Sequence, residues 1–208
     1  MRTVSSYLAA LFPGDPIVLA LREEADRAGL PPSSASAATM RLVQVLLVAS
    51  GARRVLEIGT LGGSSTIWIA RSLPAEGRVI TIERDPEHAV FAQRWLVRAG
   101  VADRVEVRVG RALDLLPALD GERFDAVFLD ADREPLPRYL EWAMRLVRAG
   151  GLVIADHALA GGRVAELDTD DAGLSGLREF NRRLALDERI VGTVVAMEDG
   201  VAVAVVRE

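Results

Sequence analysis

A short apolar run, Val55, Leu56 and Ile58, follows the paired arginines Arg53 and Arg54 and stops at Gly59, where the chain reads G-T-L-G-G-S-S before apolar residues resume at Ile67 and Ile69. Such a run ending in glycines reads as a buried strand entering a tight turn, with Ser64 or Ser65 placed to cap the helix that follows. Strand, glycine loop and helix together leave free backbone N–H groups at a helix N-terminus. The glycines let a polar or anionic ligand group approach the backbone there.

The spacing narrows the ligand. A dinucleotide fingerprint needs G-x-G-x-x-G, and here the position two after Gly59 is Leu61, whose side chain obstructs the close pyrophosphate approach that pattern permits. A second strand, Arg78 to Ile82, delivers Glu83 to its tip, where a carboxylate can accept both hydroxyls of a ribose. An adenosine-bearing ligand without a pyrophosphate satisfies both features, and S-adenosylmethionine is such a molecule.

The rest of the chain alternates in the same way. Residues 1–50 read as helical, with Asp15-Pro16 starting one helix that Gly29 ends, and a further helix from about Ser36 to Ser50. After Glu83, Asp85-Pro86 opens a helix with Val90, Phe91, Trp95 and Leu96 on its apolar face, closed by Gly100. His88 on that helix reads as an exposed or packing residue. Arg104 to Val109 alternates as a third strand, followed by Gly110 and a short helix ending at Pro117. Phe124 to Leu129 forms a fourth strand that carries Asp130 at its end. A helix from about Leu136 to Arg148 stops at Gly150-Gly151, and Leu152 to Ala155 is a fifth strand running into Asp156-His157. Parallel strands need crossover helices, so this alternation predicts a doubly wound sheet with its ligand edge at Gly59, Glu83, Gly110, Asp130 and Asp156. Residues 158–173 read as a loop over that edge, its acids Asp168, Asp170 and Asp171 as a solvated cluster. A helix from about Leu174 to Leu186 follows, and Ile190 to Ala196 and Val201 to Val206 flank Glu198-Asp199-Gly200 as a β-hairpin. Trp68 and Trp142 read as core.

With 208 residues, half of them apolar, one α/β domain spanning 1–208 is expected, divided into N-terminal helices (1–50) and a cofactor-binding core (51–208). The net charge of −5 is dispersed and forms no basic stripe, which disfavours a nucleic-acid partner. No signal pattern or membrane-length apolar run is present, so a cytoplasmic location without membrane contact is expected. Cysteine is absent, which removes disulfides, thiolate metal sites and cysteine nucleophiles. All 25 basic residues are arginine, which removes Schiff-base and lysine general-base chemistry.

In four ordered stretches the chain resembles the class I S-adenosylmethionine-dependent O-methyltransferases of the catechol and caffeoyl-coenzyme A type. These are V-L-E-I-G-T-L-G-G-S-S at 55–65, I-T-I-E-R-D-P at 80–86, F-D-A-V-F-L-D-A-D-R at 124–133 and R-A-G-G-L-V-I-A-D-H-A-L-A-G-G-R-V at 148–164. The resemblance implies a Rossmann-like methyltransferase fold, a seven-stranded, mostly parallel sheet with a C-terminal β-hairpin and helices on both faces. It implies that Glu57 and Gly59 belong to the methionine end of the cofactor site, Ser65 to its carboxylate contacts and Glu83 to the ribose, with Leu61 of the glycine loop also among the cofactor-binding residues. Gly110, Arg111 and Ala112 would line the adenine, Arg111 standing where the family has an acid or a small residue. Asp130 would face both cofactor and metal. A homodimer using the N-terminal helices and the sheet edge is also implied.

By the same resemblance Asp130 and Asp156 match two carboxylates that bind a divalent cation, Mg²⁺ or Mn²⁺, which chelates vicinal hydroxyls of a small, catechol-like aromatic substrate. His157 stands where the family has asparagine, and an imidazole donor shifts preference toward Mn²⁺, Fe²⁺, Co²⁺ or Zn²⁺. Arg133 replaces the lysine that accepts the substrate proton, and a guanidinium cannot take that role, although it can stabilise an oxyanion. The base is then metal activation alone, His157, whose unperturbed pKa of about 6.5 suits the task, or Asp132. Rival readings are a metal-independent methyltransferase with His157 as base, a cofactor binder without catalysis, and a dehydrogenase, against which Leu61 argues.

Overall fold

The computed structural model describes residues 3–32, 35–166 and 170–207. Three helices precede the sheet, α1 (Val4–Leu11), α2 (Pro16–Arg27) and α3 (Ala37–Ala49). Asp15 caps α2 by accepting the Ile17 N–H at 2.9 Å, and Ser36 caps α3 by accepting that of Thr39 at 3.0 Å.

The strands are β1 (Arg54–Ile58), β2 (Arg78–Glu83), β3 (Val105–Val109), β4 (Phe124–Leu129), β5 (Val147–Ala155), β6 (Ile190–Val195) and β7 (Val201–Val206), in the order β3-β2-β1-β4-β5-β7-β6. Neighbours among β1 to β5 are parallel, while β7 runs antiparallel to β5 and β6. The sequence of strands reverses direction at β1, with β2 on one side and β4 on the other. Connections leave that point toward opposite faces, so a crevice opens at the carboxyl ends of β1 and β4.

Burial on both faces explains why the strands are nearly continuous apolar runs. Val55, Phe128 and Ile154 join Val43, Ile67 and Trp95 on the face covered by α3, α4 (Ser64–Ser72) and α5 (Pro86–Arg98). Their strand neighbours Leu56, Val127 and Val153 face Leu116, Leu140 and Phe180, beneath α7 (Leu136–Leu146), α8 (Ala172–Leu186) and the segment after α6 (Ala112–Leu115). No helix among the described residues is long and apolar enough to cross a membrane.

Three boundaries differ from the sequence reading. Helix α4 is capped by neither serine: Gly63, with φ 88°, is the N-cap and no side chain accepts from the first turn. Helix α7 ends at Leu146 rather than Arg148, because Val147 already pairs with Phe124 in the sheet; an irregularity then precedes the Ala126–Leu152 pair. Residues 160–165 form a 3₁₀ turn, and α8 begins at Ala172 with Asp171 as its cap; Asp168 lies outside the described residues.

Candidate active site

A cleft of about 980 Å³ occupies the carboxyl edge of the sheet. Its first wall is the glycine loop. The Gly59 N–H donates to Ile82 O at 3.0 Å, and a Cβ on Gly59 would lie 2.0 Å from the carbonyl oxygen of Asp130, at a φ of 101° that favours glycine. Only a residue without a side chain lets β1 and β4 end this close together. Ser64 and Ser65, the first residues of α4, line the cleft with first-turn N–H groups that no side chain caps.

Glu83, buried at the tip of β2, is fixed at both oxygens: Oε2 accepts from Leu61 N at 2.7 Å and Oε1 from Asp85 N at 2.9 Å. Gly110, Arg111 and Ala112 line the same wall beyond β3. His88 is not the bystander its helical position implies. It lines the cleft, with Nδ1 3.7 Å from Glu83 Oε1.

Glu57 lies behind the residues that line the cleft. It is wholly buried below the loop, where Oε2 accepts hydrogen bonds from Thr66 at 2.5 Å and Thr81 at 2.7 Å, while Oε1 has no partner. Burial raises its pKa to about 7 against the pull of the Ser65, Thr66 and Thr81 hydroxyls. Glu57 ties β2 and α4 together beneath the glycine loop.

The opposite wall carries the carboxylates. Asp130 follows β4 and Asp156 follows β5, neighbouring parallel strands, so the two side chains converge. Burial raises both pKa values, that of Asp130 to about 6, with His157 and Arg133 opposing the shift there and Asp156 adding to it. His157 adopts φ 57°, uncommon for a residue with a Cβ, and its ring lies beside the carboxylates. Its Nε2 is 3.9 Å from Asp130 Oδ1 and 3.9 Å from Asp156 Oδ2, is buried, and has no hydrogen-bond partner. One donor atom from each of the three residues falls within 4.8 Å of the others. Two carboxylate oxygens and an orphaned imidazole nitrogen at that spacing fit one divalent cation.

The sequence pattern of the O-methyltransferase family matches residues 9–207. The chain belongs to that family. Catechol O-methyltransferase of Mycobacterium tuberculosis is 46% identical over 98% of this chain and 95% of its own. The O-methyltransferase of Bacillus cereus, solved with S-adenosylhomocysteine, superposes with a TM-score of 0.93 at 38% identity, covering 98% of this chain and 97% of the other. TomG of Streptomyces achromogenes, an O-methyltransferase involved in tomaymycin synthesis and solved with S-adenosylmethionine, gives 0.92 at 39% identity, covering 99% and 96%. The chain is therefore an S-adenosylmethionine-dependent O-methyltransferase on a Rossmann-like sheet.

Within this O-methyltransferase the remaining candidates are placed as follows. Arg133 lines the cleft and lies 3.7 Å from Asp199 Oδ2. Asp132, offered by the sequence as a base, is exposed and bound through both oxygens to Arg84 Nη1 at 3.0 Å. Leu21, Arg22 and Asp26 of α2 also line the cleft, so the N-terminal helices contribute to its outer part.

Proposed function

We propose that the protein methylates a hydroxyl of a small catechol-like aromatic, with a divalent cation held by Asp130, Asp156 and His157. The observation that carries this reading is the buried, unpartnered Nε2 of His157 facing two carboxylates. When bound, the cation would lower the pKa of a substrate hydroxyl and orient the oxygen.

The chain's own residues divide the remaining work. Glu83 holds the ribose hydroxyls of S-adenosylmethionine, and its two backbone N–H bonds keep that carboxylate from swinging. The uncapped first turn of α4 at Ser64 and Ser65 receives the methionine carboxylate, an anion at a helix N-terminus. Gly110, Arg111 and Ala112 line the adenine. Arg133 places a fixed positive charge beside the developing oxyanion and moves no proton. Transfer is a single in-line displacement from the sulfonium, helped chiefly by alignment.

Calorimetric titration of Mg²⁺ and Mn²⁺ into protein saturated with S-adenosylhomocysteine tests the metal, with Asp130→Ala as control. Saturable binding that vanishes in the variant is the expected result. No binding of either ion removes the metal from the mechanism.

One observation favours a second reading: His157 Nδ1 is 3.0 Å from Asp199 Oδ2, and a carboxylate-oriented imidazole is also the arrangement of a general base. In that case His157→Asn abolishes turnover, whereas in the metal reading the variant keeps activity with Mg²⁺.

The homodimer implied by the resemblance belongs to the same proposal. Tyr7, Leu8, Leu11 and Phe12 around α1 and Val45 and Val48 on α3 expose apolar surface suited to a second copy.

A further inference from the structure

We infer that Asp199, in the turn between β6 and β7, is a positioning residue that sets which nitrogen of His157 faces the carboxylate pair, and so which divalent ion the site prefers. This rests on the metal reading above and extends it to a residue outside the cleft wall.

The geometry is specific. Asp199 Oδ2 meets His157 Nδ1 at 3.0 Å, and Oδ1 accepts a hydrogen bond from the Gly161 N–H. The same turn grips the backbone that follows His157: Ala158 N donates to Gly200 O and Leu159 N to Asp199 O, both at 2.9 Å. Asn181 Nδ2 holds the carbonyl of Ala158 at 2.9 Å. Gly200 permits the contact, since a Cβ there would come within 2.4 Å of Leu159 Cγ. This clamp supports His157 in its left-handed conformation.

A carboxylate only accepts, so the His157 nitrogen opposite Asp199 carries the proton. Nε2 then keeps its lone pair, and that is the atom buried without a partner 3.9 Å from Asp130 and Asp156. A carboxylate behind a histidine ligand fixes the ring and raises its basicity. The outcome is an O,O,N donor set that favours a borderline transition ion such as Mn²⁺ over Mg²⁺.

The test is calorimetry of Mn²⁺ and Mg²⁺ with S-adenosylhomocysteine-saturated wild type, Asp199→Asn, His157→Asn and the double variant. Asparagine can still accept from Gly161, but it presents an amide N–H to His157 Nδ1 and so inverts the tautomer. Asp199→Asn is expected to weaken Mn²⁺ binding about 10- to 100-fold, to leave S-adenosylhomocysteine binding unchanged, and to abolish the imidazole nitrogen coupling in pulsed electron paramagnetic resonance of bound Mn²⁺. In the His157→Asn background it is expected to have no further effect on Mn²⁺, and Mg²⁺ becomes the preferred ion there. Equal losses from Asp199→Asn with and without His157 would show that Asp199 acts through loop structure or charge alone, overturning the inference. So would unaltered Mn²⁺ affinity in Asp199→Asn when wild type binds the ion. Wild type that binds neither ion overturns the metal reading itself, and this inference with it.

Discussion

Glu83 Oε2 accepts the backbone N–H of Leu61 across 2.7 Å, so the tip of β2 and the glycine loop after β1 are held as one unit. Leu61 has φ 46°, and this bond is part of what supports that conformation. Glu83→Gln is expected to weaken S-adenosylhomocysteine binding about 10- to 100-fold, the scale of a charged hydrogen bond. Isothermal calorimetry measures it; an unchanged Kd would remove Glu83 from the cofactor site.

Burial lifts Glu57 to about 7 in the folded protein from an ordinary value of 4.5. The folded state therefore binds more protons than the unfolded state between those values. Stability from this group falls as pH rises through that window and stays low above it, with about 3 kcal/mol at stake. The Asp130 and Asp156 shifts act in the same direction, so the informative quantity is the difference between wild type and Glu57→Gln. Urea unfolding at pH 5 and pH 8 should show the smaller decline in the variant. Equal declines would mean that Glu57 ionises freely in the fold.

Gly59 stands where any Cβ would strike the carbonyl of Asp130. Gly59→Ala must push β1 and β4 apart at the ligand edge, and a cost of more than about 3 kcal/mol is expected from the clash and the positive φ together. Thermal unfolding within a degree or two of wild type would show that the strand ends can spread freely.

Arg133→Ala is expected to lower kcat/KM for a catechol by about tenfold through loss of a charge beside the oxyanion. Because the guanidinium moves no proton, the pH–rate profile should keep the same number of limbs, although loss of its charge pushes the Asp130 ionisation further up. Loss of an ionisation limb in the variant would place proton transfer at this position after all.

Much of the architecture is written in local pattern. Apolar runs ending at Gly59, Glu83, Asp130 and Asp156 mark the strand ends because each run is buried on both faces and must stop where the cleft begins. The contacts on which the proposed chemistry rests were less accessible. Asp199 reads as an ordinary hairpin acid, and its partner His157 lies 42 residues away, brought near by the antiparallel pairing of β7 with β5. His88 sits in the first turn of a helix whose apolar face points elsewhere, and only the fold brings it to the cleft beside Glu83. Gly63 displaced the serines as the cap of α4 because a left-handed residue could end the loop there without a side-chain acceptor.

The pairing of β5 with β7 aligns Leu152 with Val205 and Ala155 with Ala202, and Val201, Ala202 and Ala204 hold that alignment from the core. A slip of one residue would carry the 197–200 turn about 3.4 Å along the strand and exchange the faces of β7. The aim of one imidazole is thus set by tongue-and-groove fitting among small aliphatic side chains remote from any ligand. Drift in those residues would re-aim the imidazole, and with it the metal preference proposed above, while the cleft residues stay the same.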